Sequence, residues 1–150
     1  MKKIPNSALI LGLAGLLPFF WGAATYLEFV AENLKLNGFS EEYMGSRISL
    51  IYGTIILAFM SGVLWGFAAN VGGKRQPIGF VLSVLPALWA FFTFNGLLFN
   101  PLAGLIIGFL GIFAIDVRFH YWQLTPEWWL SLRCILTLLV IICLSVNLGW

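Results

Sequence analysis

The 40 residues from Gln76 to Ile115 contain no Asp, Glu, Lys or Arg. As a helix rising about 1.5 Å per residue they would extend ~60 Å, roughly twice the apolar thickness of a bilayer. The run must therefore fold back and cross twice. Its middle, Asn95-Gly96-Leu97-Leu98-Phe99-Asn100-Pro101, carries residues that break helices and form turns. Lys74-Arg75 precede it and Arg118 follows it, so the basic residues put both outer ends on one face of the membrane.

The remainder of the chain has the same character. Hydrophobic residues make up 61% of the sequence and charged residues 9%, whereas a soluble domain carries about 25% charged residues. So much apolar surface needs lipid as its solvent. The net charge of +2 is too small and too scattered for a nucleic-acid surface, so nucleic acid is not an expected partner. Cys134 and Cys143 lie on one apolar segment about 13.5 Å and half a turn apart, on opposite faces of a helix. They are too far apart to pair with each other. With one histidine, His120, and no Cys-x-x-Cys, no metal or haem ligand set is expected.

The chain reads as an all-α integral membrane bundle of five transmembrane helices forming a single domain. The spans fall at about Ser7–Val30, Ile48–Ala69, Pro77–Phe94, Pro101–Val117 and Trp129–Leu148. Lys2, Lys3, Lys74, Arg75, Arg118 and Arg133 then share one side. The N-terminus is expected to be cytoplasmic and the C-terminus on the opposite side. The basic start, apolar stretch and Gly22-Ala23-Ala24 also fit a cleavable leader, but the apolar stretch is long for one, and the first span is expected to be retained. Thr125-Pro126-Glu127 reads as the start of the fifth helix, with the Thr125 hydroxyl as its N-cap. Asn37-Gly38 reads as a helix C-cap and Ser40-Glu41-Glu42 as a helical turn. Tyr121, Trp122, Trp128 and Trp129 read as an interfacial aromatic belt.

Charges stand only near span ends: Glu28 in the first, Asp116 in the fourth, Arg133 in the fifth. Midplane ionisable groups mark proton and ion pathways, and their absence from this sequence argues against a pump acting alone. Asp116, Arg118, His120 and Arg133 are the only set that can converge. The ordinary reading is helix-end pairing and snorkelling; the sharper one is a site for a lipid or quinone head group. Gly62-x-x-x-Gly66 and Gly104-x-x-x-Gly108 form small-residue ridges for helix packing or partner contact. Pro18 and Pro86 lie inside spans and should kink them. Trp21, Trp65, Trp89, Phe91, Phe92 and Phe94 read first as core or lipid contacts, and second as the lining of a lipophile site. Asn95 and Asn100 read as turn residues. No Gly-rich phosphate loop, His-Glu-x-x-His or Gly-x-Ser-x-Gly is present, and no cofactor is expected.

The segment Tyr52-Gly53-Thr54-Ile55-Ile56-Leu57-Ala58-Phe59-Met60-Ser61-Gly62-Val63-Leu64-Trp65-Gly66 resembles the signature of a small bacterial inner-membrane family of unknown function. That family is related to the mitochondrial transmembrane protein sixty-nine. Leu11 to Phe19, Ser83 to Leu88 and Pro126 to Arg133 resemble it as well, so the likeness covers nearly the whole chain. Leu64 stands where the family often has His or another polar residue. The resemblance implies a compact five-helix bundle in an energy-coupling membrane and supplies no reaction.

Three functions compete at this point. The first is a non-catalytic accessory or assembly subunit of a larger respiratory or photosynthetic membrane complex, partnered by membrane lipid and other membrane proteins. The second is a binding or transport protein for a lipophile such as a quinone or lipid. The third is a membrane enzyme using Asp116, His120 and Arg133.

Overall fold

The computed structural model describes residues 3–27, 44–70, 72–94 and 100–148. Among these, the helices are α1 (Asn6–Ala14), α2 (Leu17–Tyr26), α3 (Gly45–Ala69), α4 (Arg75–Phe94), α5 (Pro101–Tyr121) and α6 (Trp129–Asn147). Five segments are long and apolar enough to cross a membrane, with α1 and α2 together forming the first, Asn6–Tyr26. The all-α membrane bundle expected from the sequence is therefore the fold. Glu28, Asn37-Gly38, Ser40-Glu41-Glu42 and Asn95 lie outside the described residues.

The interruption between α1 and α2 follows from Pro18. Proline has no amide to donate to the carbonyl four residues back, and its ring collides with that carbonyl, here Ala14. Ala14 is the last residue of α1. The chain turns at Gly15-Leu16, and the amides of Phe19 and Phe20 both return to the Leu16 carbonyl at 3.0 Å. The expected kink is thus a full break, one turn upstream of the proline, with Pro18 inside the first turn of α2. Pro86, by contrast, sits buried within the continuous α4.

Helix contacts close a ring, α2–α3–α4–α5–α6–α2, and α3 also reaches α5 and α6. Its centre holds Phe19, Leu57, Leu64, Leu105, Phe109, Ile112, Phe119 and Leu144. The outer surface is equally apolar, with Leu11, Phe59 and Phe91 at least 64% exposed. A helix that is apolar all round is solvated by lipid on one side and protein on the other. Polar side chains tie the ring at few points: Ser61 donates to the Ser83 carbonyl, Trp89 Nε1 to the Gly104 carbonyl at 2.8 Å, and Asn147 Nδ2 to Ser49 Oγ at 3.3 Å.

The hairpin inferred from the uncharged run is α4 and α5. Arg75 Nη1, at the start of α4, lies 3.5 Å from the Trp122 carbonyl just past the end of α5, so the two basic edges meet. Asn100 does more than turn the chain. Its Oδ1 accepts the Leu102 amide at 2.9 Å, capping α5 with Pro101 in the first turn. The α5 helix runs beyond the expected end at Val117 and stops in a paired-turn cap: Gln123 N donates to the His120 carbonyl and Leu124 N to the Phe119 carbonyl. Gln123, at φ 59°, occupies the left-handed position that usually takes glycine. The Thr125 hydroxyl is not the N-cap of α6, which has no side-chain cap and begins after Trp128. The Thr125 Oγ1 is instead 3.3 Å from His120 Nδ1.

Candidate functional site

Helical periodicity brings Asp116 inside. On α5, Leu105, Phe109, Ile112, Asp116 and Phe119 recur at spacings of four and three and are no more than 1% exposed. Asp116 therefore stands in a core row. A carboxylate there is tolerable only if paired and hydrogen-bonded. The partners come from α6, where Trp129 and Arg133 are one turn apart on one face. Trp129 Nε1 donates to Asp116 Oδ1 at 2.7 Å. Arg133 Nε donates to Asp116 Oδ2 at 2.7 Å, and the pair is buried, the Arg133 residue being 4% exposed.

The four residues picked out from the sequence do not all converge. Arg118, two residues on from Asp116, faces outward, where its guanidinium lies 4.9 Å from the Trp122 ring centroid. His120 is one turn from Asp116 but is engaged with Thr125 in the α5–α6 loop. Asp116 and Arg133 do meet, and the third member, Trp129, was read as part of the interfacial belt. The signal that would have found it is the i, i+4 spacing of Trp129 and Arg133 opposite Asp116.

The same spacing continues to Thr137 on α6. Arg133 Nη2 and Thr137 Oγ1 are buried and have no hydrogen-bond partner among the described residues. Thr137 was not picked out from the sequence, because an isolated threonine in an apolar helix carries no motif.

The two glycine ridges separate. Gly104 and Gly108 are buried; a Cβ on Gly108 would lie 2.7 Å from Leu57 Cδ1 and 2.9 Å from Trp89 Cδ1. That ridge makes the α3–α5 and α4–α5 contacts possible. Gly62 and Gly66 face away from the bundle: among the described residues, no atom beyond their own stretch of helix lies within 4 Å of a Cβ on either. Ala58, one turn earlier, is exposed on the same row.

A family model described as a protein of unknown function (DUF3429) matches residues 4–149. The chain is 34% identical over 155 aligned positions to Transmembrane protein 69 of Xenopus tropicalis, covering 99% of this chain and 56% of that protein. It is 32% identical over 152 positions to Transmembrane protein 69 of Mus musculus, covering 96% and 56%. The chain thus spans little more than half the length of these relatives. No solved structure matches. With the family match extending from the start of the first span to the end of the last, the chain belongs to the DUF3429 family of membrane proteins of unknown function.

Proposed function

We propose that this chain is a non-catalytic membrane subunit that docks against another integral membrane protein, as an accessory or assembly factor of a larger inner-membrane complex. The observation that carries the reading is the outward row Ala58, Gly62 and Gly66 on α3. In lipid, helices associate through close van der Waals approach, and rows of small residues at four-residue spacing permit it. Gly104 and Gly108 serve that purpose within the bundle, whereas nothing among the described residues covers Gly62 and Gly66. Ile55, Phe59 and Trp65 flank the row and are at least 48% exposed, offering large apolar surface on either side of the shallow strip. The enzyme reading draws little support from the geometry, since both Asp116 carboxylate oxygens are engaged by Trp129 and Arg133.

The test is purification of the tagged protein from its own membranes in mild detergent. A stoichiometric membrane-protein partner is expected with the wild type. The double substitution Gly62→Leu, Gly66→Leu should lose it while leaving helicity and thermal stability unchanged, because both side chains would enter open space. A wild-type protein recovered alone under several gentle conditions refutes the docking role.

A further inference from the structure

Where α1 breaks from α2, the bundle encloses a cavity of about 160 Å³ lined by α1, α2, α3, α5 and α6. Gly12, Gly15 and Leu16 border it at the break, and Met60, Phe109 and Val140 from the core complete most of its apolar lining. Leu11 and Phe59, 72% and 64% exposed, also line it, so it opens towards the lipid-facing surface. Its two polar contributors are Arg133 and Thr137. These are the residues whose Nη2 and Oγ1 are buried without partners. A buried donor without a partner is unfavourable, and the two residues stand one helical turn apart on the same wall.

We propose that this cavity binds the head of a lipophilic molecule that carries a neutral carbonyl group. The size fits a benzene-like ring or a short chain: a cavity of about 150 Å³ in another protein accommodates benzene. The polarity follows from charge and donor type. Asp116 already neutralises Arg133, so the site has no net charge to offer a phosphate or carboxylate. Arg133 Nη2 can only donate, and Thr137 can donate a second hydrogen bond, so the complementary group is an oxygen acceptor. The tail leaves between Leu11 and Phe59 into lipid. This site is separate from the α3 row of Ala58, Gly62 and Gly66, and its test is independent of the docking role.

The experiment is thermal denaturation of the full chain in detergent micelles with three chain-matched probes. Decyl-benzoquinone carries a ring carbonyl, methyl decanoate an ester carbonyl, and decylbenzene neither. Saturable stabilisation by a carbonyl probe and none by decylbenzene is expected. A response to the quinone alone identifies a quinone site, and one to the ester identifies an acyl-lipid site. Equal shifts from decylbenzene, or no shift from any probe, overturn the proposal. Thr137→Val keeps the shape and removes the hydroxyl, so affinity should fall about tenfold. The unliganded protein should be no less stable, since an unpaired hydroxyl has gone. Unchanged affinity would overturn the proposal.

Discussion

Asp116 occupies a position that the helix period reserves for a core side chain, and it is retained there by two donors from one neighbouring helix. The arrangement is asymmetric in energy. Removing one partner leaves the other buried and uncompensated, at about 3–5 kcal/mol, whereas replacing the whole pair with apolar groups is often neutral. Asp116→Asn or Arg133→Met alone should therefore lower stability in detergent by that amount, while Asp116→Leu with Arg133→Met should cost less than either. A double variant as unstable as the two single variants summed would show that Asp116 and Arg133 act independently, with no coupling between them. Trp129→Phe keeps the ring against Phe67, whose centroid is 5.0 Å away, and removes only the Nε1 donor. Its expected cost is about 1.5–3 kcal/mol, the value of a hydrogen bond to a charged group, read from the same denaturation curves. The aspartate and arginine were legible in the sequence as charges set into the facing ends of the fourth and fifth spans. Their exclusion of Arg118 and His120 was not, because several residues close in sequence point in different directions around a helix and along the following loop.

At the level of single helices, α5 ends where backbone geometry allows rather than where composition changes. Gln123 holds the left-handed cap position at φ 59°, which costs a residue with a Cβ roughly 1–2 kcal/mol. Gln123→Gly should raise the melting temperature, with a gain of about 1 kcal/mol, since the cap is made by backbone hydrogen bonds that glycine keeps. No rise in melting temperature would mean that the Gln123 side chain compensates for the strain. With no glycine at this position, the usual helix stop signal is missing from the sequence. The glycine rows give a paired test of packing. Gly108→Ala would force its Cβ into Leu57 and Trp89 and should destabilise by about 1–3 kcal/mol through overpacking. Gly62→Ala meets nothing among the described residues and should be neutral or slightly stabilising. Denaturation of the two variants side by side checks which ridge lies inside.

The whole bundle is apolar within and without, and its surface makes predictions that no single helix does. Cys134 is exposed and Cys143 buried on the same helix, as their half-turn separation required. A membrane-permeant maleimide should therefore modify Cys134 rapidly and Cys143 only on unfolding; equal labelling of both would mean that α6 is rotated. With five candidate spans, the two ends of the bundle are proposed to lie on opposite sides, with the basic residues at 74–75, 118 and 133 facing the cytoplasm. A reporter fused after residue 150 should then be active only if it functions on the far side, and cytoplasmic activity would reverse or break the proposed topology.

Length and hydropathy accumulate along the chain, so the sequence by itself determined that there are five spans and that residues 76–115 fold back on themselves. Pro18 likewise marked the break in the first span, because proline acts on its own local backbone. Tertiary structure alone decided which faces turn inward. In helices apolar on every side, the hydrophobic pattern does not separate the lipid face from the protein face. For that reason the two glycine rows looked alike in sequence, although one packs the core and the other faces outward. The same holds for the pairing of Asp116 with Trp129 and Arg133, and for the cavity beside Thr137. Both depend on the phase at which α6 meets its neighbours, which is set by side chains far apart in the chain.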